Sequence, residues 1–155
     1  MKRSTLAVLI PAWNEEATIA DVVGAVCKDY SYDVIVIDDV SRDRTAERAA
    51  AAGATVLNLP MHLGAWGATQ TGIRFALKRG YRRVITMDAD GQHPPSAIPD
   101  LLAPIVCGET NSVIGSCIPS EAVWQENWHG ASSGGLRALI LLILLQAFAS
   151  MIFQP

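Results

Sequence analysis

The stretch "VITMDADGQHPP", Val84 to Pro95, decides the reading of this chain. A short β-prone, mostly apolar run ends abruptly in Asp88 and Asp90. A carboxylate at the end of a buried strand is costly unless something compensates its lost hydration. Strand ends of this kind face ligands in open parallel sheets, where binding crevices lie beyond the carboxyl ends of the strands. The stretch therefore predicts a parallel sheet with a polar site at one edge.

The rest of the chain repeats the pattern. Leu6 to Ile10 reads as a strand and is followed by "NEEATIADVVGAVCK", with Ile19, Val22, Val23 and Val26 at helical spacing. Asn14 suits the N-cap of that helix, with Glu15 and Glu16 in its first turn. "DVIVID" is a second strand, and "SRDRTAERAAAAG" a loop and helix closed by Gly53. Thr55 to Leu59 is a third strand, "GATQTGIRFALKRG" a helix, and "RRVITM" a fourth strand. A helix from about Ser96 and a short fifth strand, "NSVIG", complete the alternation. Such alternation predicts an α/β fold, a mostly parallel central sheet flanked by helices. Right-handed crossovers bring "PAWNE", "DDVS" and "DADGQH" to one edge.

Composition limits the classes of function. With 155 residues, half of them hydrophobic, the chain suits a single core rather than a disordered one. A net charge of -3 with scattered basic residues carries no nucleic-acid footprint. Cys27, Cys107 and Cys117 have no metal-ligand spacing, and a reducing compartment is expected. The early apolar run "LAVLIPAW" leads straight into Asn14, Glu15 and Glu16, unlike a signal peptide. "LRALILLILLQAFASMIF", residues 136–153, reads as an apolar C-terminal helix. It falls near the ~20 residues that span a bilayer, so core packing and membrane contact are both open.

On an extended segment Asp88 and Asp90 would share a face, with Gln92 next. These hard oxygen donors suit Mg²⁺ or Mn²⁺, which keep positions open for phosphate oxygens. The alternative is a polar turn with no ligand. A calcium loop would need an acid where Pro99 stands. An Asp-nucleophile phosphatase would carry Thr or Val in place of Gln92 and use an earlier strand. Of the paired acids ending the second strand, Asp38 suits a turn cap, while Asp39 is open to a base N–H or ribose hydroxyl. Ser41 or Asp43 would cap the next helix. Gly64, Gly67 and Gly72 surround a helix start, where backbone can approach a phosphate. His62 reads as a surface or packing residue.

Taken in order, "IPAWNEEATI", "VIVIDDVSRDRT", "HLGAWGATQTGIRFAL", "VITMDADGQHPPSAIPDLL" and "SVIGS" resemble the family 2 glycosyltransferases of GT-A fold. The nearest branch is the dolichyl- or polyprenyl-phosphate sugar transferases. The resemblance covers Leu6 to about Ser116. It implies a Rossmann-like nucleotide-sugar-binding domain over residues 1–117 and a divergent or truncated acceptor-side region over 118–155. It implies a nucleotide-diphosphate sugar donor, Mg²⁺ or Mn²⁺, and inverting transfer to a lipid phosphate. Pro11, Ala12, Asn14, Glu16 and Gly64 would line the donor site and Asp39 would contact the base. Asp88, Asp90 and Gln92 would hold metal and diphosphate, with Asp90 the catalytic residue. A membrane association at the cytoplasmic face, peripheral or through the C-terminal helix, would follow.

The chain departs from the family at several positions. Val40 and Arg44 stand where Gly is usual, His62 where Asn is, and Trp13 where Tyr is commoner. Cys117 replaces an Arg that would grip an acceptor phosphate, and a thiol supplies neither the charge nor the donors. A donor-binding remnant without transfer, an Asp-nucleophile phosphatase and a metal-free structural domain remain the alternatives.

Overall fold

The computed structural model describes residues 5–30, 32–113, 115 and 140–141. Among these residues five strands form one parallel sheet in the order β3-β2-β1-β4-β5. They are β1 (Leu6–Ala12), β2 (Asp33–Asp38), β3 (Thr55–Asn58), β4 (Arg83–Thr86) and β5 (Ile140–Leu141). The helices are α1 (Ile19–Asp29), α2 (Thr45–Ala51), α3 (Gly64–Lys78) and α4 (Ile98–Val106), the last entered through a 3₁₀ turn, Pro95–Ala97. The expected alternation of strand and helix is present.

Strand alternation divides the core into two layers. Leu6, Val8, Ile10 and Ala12 of β1 join Val34 and Val36 of β2 and Ile85 of β4 against Ile19, Val23 and Val26 of α1. Ala7 and Leu9 join Ile35, Ile37 and Val84 against Ala68 and Ala76 of α3. Leu9, Ile10, Ile35 and Ile37 are among the largest fully buried side chains, so the central strands are dry on both faces. Gly72 lets α3 sit close to the sheet, since a Cβ there would fall 2.7 Å from Cδ1 of Ile37.

The chain runs outward from β1 through β2 to β3, then crosses back to place β4 on the other side of β1. That reversal between β1 and β4 is where an open parallel sheet forms its crevice. Backbone pairing continues slightly past the strands: Asp39 N donates to Ala12 O at 2.9 Å and Met87 N to Leu9 O at 3.0 Å. The residues that follow therefore leave the sheet from fixed positions.

Two expectations are corrected here. The described residues of 111–115 form no strand. Thr110 Oγ1 donates to Ser112 O at 2.9 Å and accepts from Ser112 N at 3.3 Å, a local turn that competes with ladder pairing. The place beside β4 belongs to β5, with Val84 opposite Ile140 and Ile85 opposite Leu141. The helix expected over 136–153 lies outside the described residues except at these two, which are extended. There the backbone pairs with the otherwise open edge of β4 instead of with itself. Among the described residues no helix is long and apolar enough to cross a membrane.

Candidate functional site

A cavity of about 550 Å³ opens at the carboxyl edge of the sheet, across the β1/β4 reversal. Pro11, Ala12, Trp13 and Glu15 line it from the end of β1, and Asp39 from the end of β2. His62, Gly64, Ala65 and Ala68 close the α3 side. Asp88, Ala89, Asp90 and Gln92 form the β4 side. Thus Pro11, Ala12, Asp39, Gly64, Asp88, Asp90 and Gln92, dispersed in sequence, meet in one place.

Alternation explains the split between the two acids of β2. Asp38 continues the α1-facing register of Val34 and Val36, is buried, and accepts weakly from Ser41 N at 3.4 Å, the turn-capping role expected of it. Asp39 falls on the α3 side. Its Oδ1 accepts from Leu63 N, immediately before α3, at 2.7 Å. His62 Nδ1 lies 3.2 Å from Asp39 O and 3.0 Å from Asp39 Oδ2. Only the contact with the carbonyl has hydrogen-bond geometry, so Oδ2 stays buried without a well-directed donor. His62 stacks obliquely on Trp13, with ring centroids 5.0 Å apart. His62, expected at the surface or in packing, is half-exposed and forms part of the cavity wall.

Asn14 and Glu16 occupy different places from those expected. Neither caps α1, whose N-cap is Thr18 with no side-chain bond, and neither is among the cavity's lining residues. Asn14 has φ +57°, and this left-handed backbone turns its groups toward the β2–α2 loop. Asn14 N donates to Ser41 Oγ at 3.0 Å and its Oδ1 accepts from Arg42 N at 2.8 Å. Glu15 N donates to Thr45 Oγ1 at 2.8 Å, and Glu16 Oε2 accepts from Arg44 N at 2.9 Å. Asp43 accepts from Glu16 N through Oδ2 at 3.1 Å and from Thr45 N and hydroxyl through Oδ1. Burial works to raise the Asp43 pKa, but these hydrogen bonds to Thr45 and Glu16 outweigh it and leave it lowered. The two loops are braced as one unit behind the cavity wall.

The β4 side is built differently. Asp88 and Asp90 do not share a face through strand pleating, because β4 ends at Thr86 and residues 89–90 form a turn. The turn itself keeps both at the cavity. Asp90 Oδ1 accepts from Gln92 N at 2.9 Å. Asp88 Oδ2 lies 3.1 Å from Nε2 of the buried His93. Desolvation raises the Asp88 pKa, with His93 opposing and the charge of Asp90 adding to the rise. A cation here would relieve that penalty. Among the described residues no three His, Cys, Asp or Glu side chains converge into a metal cage. Two carboxylates with an open shell fit a hard divalent ion that takes its other ligands from phosphate and water.

Gly64 begins α3 with φ +73°, a conformation costly for other residues, and it presents backbone to the cavity. A helix N-terminus there favours a phosphate group. Val40, just after Asp39, has φ +64°. A β-branched side chain in this region is strained, which explains on physical grounds why glycine suits the position. Sequence reasoning gave no site role to Trp13, Glu15, His62 or His93. The only signal was that each stands inside one of the motif stretches quoted above.

The family 2 glycosyl transferase model matches residues 7–150, so the chain belongs to that family. The match runs beyond Ser116, where the motif resemblance stops. The chain is 31% identical over 128 residues to the UDP-N-acetylglucosamine–dolichyl-phosphate N-acetylglucosaminyltransferase of Methanococcus voltae, covering 71% of this chain and 51% of that protein. It is 35% identical over 114 residues to the undecaprenyl-phosphate mannosyltransferase of Micrococcus luteus, covering 70% and 46%. Among solved structures it resembles glucosyl-3-phosphoglycerate synthase from Mycobacterium tuberculosis in complex with Mn²⁺, UDP-glucose and phosphoglyceric acid. The TM-score is 0.59 and the identity 30%, over 73% of this chain and 44% of that one. The chain spans about half the length of the relatives it matches.

Proposed function

We propose that this chain carries the donor site of a glycosyltransferase that moves a sugar from a nucleotide-diphosphate sugar to a polyprenyl or dolichyl phosphate, with inversion and with Mg²⁺ or Mn²⁺. The observation that carries the reading is the single cavity joining Asp39, Gly64, Asp88, Asp90 and Gln92 at the β1/β4 reversal. Its acids would otherwise be an unexplained cluster of poorly compensated charge.

In this reading Asp39 meets the base from the β2 side of the cavity, and Pro11, Ala12 and Trp13 form the wall beside it. Asp88, Asp90 and Gln92 would hold the divalent ion and donor diphosphate. Asn14 and Glu16 act behind that wall by fixing its loop. The ion, when bound, neutralises charge on the leaving diphosphate. An acceptor phosphate oxygen attacks the anomeric carbon from the face opposite the departing oxygen. The new C–O bond forms as the bond to the nucleoside diphosphate breaks, and configuration inverts. No proton must be removed from an acceptor phosphate, which is already anionic. A separate base is therefore unnecessary. The names of the relatives support a lipid-phosphate acceptor. With such an acceptor the chain would work at a membrane surface, and the cytoplasmic face is our own placement of it.

Thermal melting with UDP- and GDP-sugars, with and without Mn²⁺, tests the donor site, since a ligand of the folded state raises the melting temperature. A rise with one nucleotide that requires Mn²⁺ is expected; no rise with any nucleotide would sink the reading. Donor binding without transfer to a polyprenyl phosphate would support a binding remnant. Release of phosphate from an aryl phosphate, abolished by Asp88→Asn, would indicate a phosphatase instead.

A further inference from the structure

Asp88 and Asp90 each have one oxygen committed to the protein. Asp88 Oδ2 lies 3.1 Å from His93 Nε2, and Asp90 Oδ1 accepts from Gln92 N at 2.9 Å. The other oxygens, Asp88 Oδ1 and Asp90 Oδ2, have no hydrogen bond among the described residues. Both residues line the cavity, and Asp88 Oδ1, unlike Asp39 Oδ2, is not closed off from solvent. His93 is buried and is not among the lining residues, so it meets Asp88 from behind the wall. The loop is shaped for this return. Gly91 has φ +78°, a backbone that other residues adopt at a cost, and Pro94 keeps the backbone of His93 out of the helical region. Pro95 then opens the 3₁₀ turn into α4, whose Ile98 and Leu102 are buried in the core. The fold itself therefore anchors His93, with no ligand required.

We propose that His93 is a positioning residue that holds Asp88 to single-oxygen ligation of the divalent ion, and so favours Mg²⁺ or Mn²⁺ over Ca²⁺. The proposal rests on the donor-site reading above. An ionised carboxylate only accepts hydrogen bonds, so the contact places a proton of His93 on Nε2. That N–H occupies Oδ2 and leaves Oδ1 for the ion. The backbone of Gln92 does the same for Asp90 and leaves its Oδ2. Two single oxygens, with the other positions open to phosphate and water, match a small octahedral ion. Ca²⁺ takes about six to eight oxygens and often both oxygens of one carboxylate. Asp88 and Asp90 could offer both only by giving up a bond to the protein. Partners that orient a ligating side chain in this way set metal affinity by about ten- to a hundredfold.

The test is calorimetric titration of Mn²⁺ and of Ca²⁺, each with UDP or GDP present, into the full chain and its H93Q and H93N variants at one fixed pH. Glutamine carries an amide nitrogen close to the place of Nε2, whereas asparagine reaches only the place of Nδ1 and falls short of Asp88. The expected result is that H93N binds Mn²⁺ about tenfold more weakly while H93Q stays close to the unmodified chain. Ca²⁺ affinity should change little in either variant. A general loosening of the site would weaken both ions together, so loss of Mn²⁺ and Ca²⁺ in parallel would overturn the positioning role. So would Mn²⁺ affinity unchanged in H93N, or lost equally in H93Q and H93N. Should H93N fail to fold, the unmodified chain decides: it should prefer Mn²⁺ over Ca²⁺ about tenfold or more, and equal affinity would overturn single-oxygen ligation. Failure of the unmodified chain to bind either ion with either nucleotide would instead remove the donor-site reading and this proposal with it.

Discussion

The two walls of the cavity are stabilised in different ways. Behind the β1–β2 wall, Asn14, Glu15 and Glu16 are tied to Ser41, Arg42, Asp43, Arg44 and Thr45 by crossed hydrogen bonds. On the β4 wall, Asp90 is held through Gln92 and Asp88 through His93, and Asp88 bears a desolvation penalty. The loops of the first wall are braced without a ligand, although Asp38 Oδ1 and Asp39 Oδ2 stay buried with no hydrogen-bond partner. The second is charged, partly buried and short of counter-charge. This contrast teaches that preorganisation and ligand dependence can be separated within one site. The bracing sets where a nucleotide would lie, and the acids would be satisfied when diphosphate and cation arrive.

The largest expected effect breaks the ligand-dependent wall. Asp90→Ala should abolish Mn²⁺-dependent donor binding, a loss of roughly a hundredfold or more for removal of a charged ligand to the ion and diphosphate. Circular dichroism should show the fold intact, because the side chain bonds only within its own turn. Unchanged donor affinity would remove Asp90 from the site.

The next variant breaks the braced wall. Asp43→Ala removes acceptors for Glu16 N and for Thr45 N and hydroxyl, and should cost about 1–2 kcal/mol in urea unfolding. The sign of its pH dependence follows from the lowered pKa. Asp43 binds protons less readily folded than unfolded, so its stabilisation is present above the ordinary carboxylate range. It is lost as pH falls through the lower folded pKa. The gap between wild type and D43A should therefore close in acid, and a gap that widens would contradict the brace.

Val40→Gly sharpens the comparison at the seam of the walls. Relief of left-handed strain, less the entropy glycine loses on folding, should raise stability by about 1 kcal/mol. A lower unfolding midpoint would mean that the Val40 side chain contributes more than its strain costs.

The smallest effect separates stability from binding on the β4 wall. Metal-free Asp88→Asn should melt slightly higher than wild type near neutral pH. A carboxylate with a raised pKa is destabilising once ionised, and its folded-state advantage is lost as pH rises through that pKa. The same variant should lose its response to Mn²⁺. A lower melting temperature would mean that the contact with His93 outweighs desolvation.

Much of this was legible in the sequence because it depends on periodicity. Continuous β-prone runs and helical spacing at Ile19, Val22, Val23 and Val26 define the layers, and parallel connections put "DADGQH" and "DDVS" at one edge. The separate fates of Asp38 and Asp39 follow from strand alternation alone. What lay beyond that reach were directions set by loop backbone. The left-handed turn at Asn14 sends its side chain to Arg42 instead of the helix start or the cavity. The turn at residues 89–90, not the pleat, holds Asp88 and Asp90 at one cavity.

The sequence by itself determined the layered α/β fold and the acids at the carboxyl edge, because side-chain period and connection handedness are local rules. Only the tertiary structure decided that His62 and Trp13 belong to the cavity wall, that Asn14 and Glu16 brace it, and that Ile140–Leu141 complete the sheet beside β4. These depend on which distant backbone groups remain unpaired once the strands have docked, and no local pattern records that.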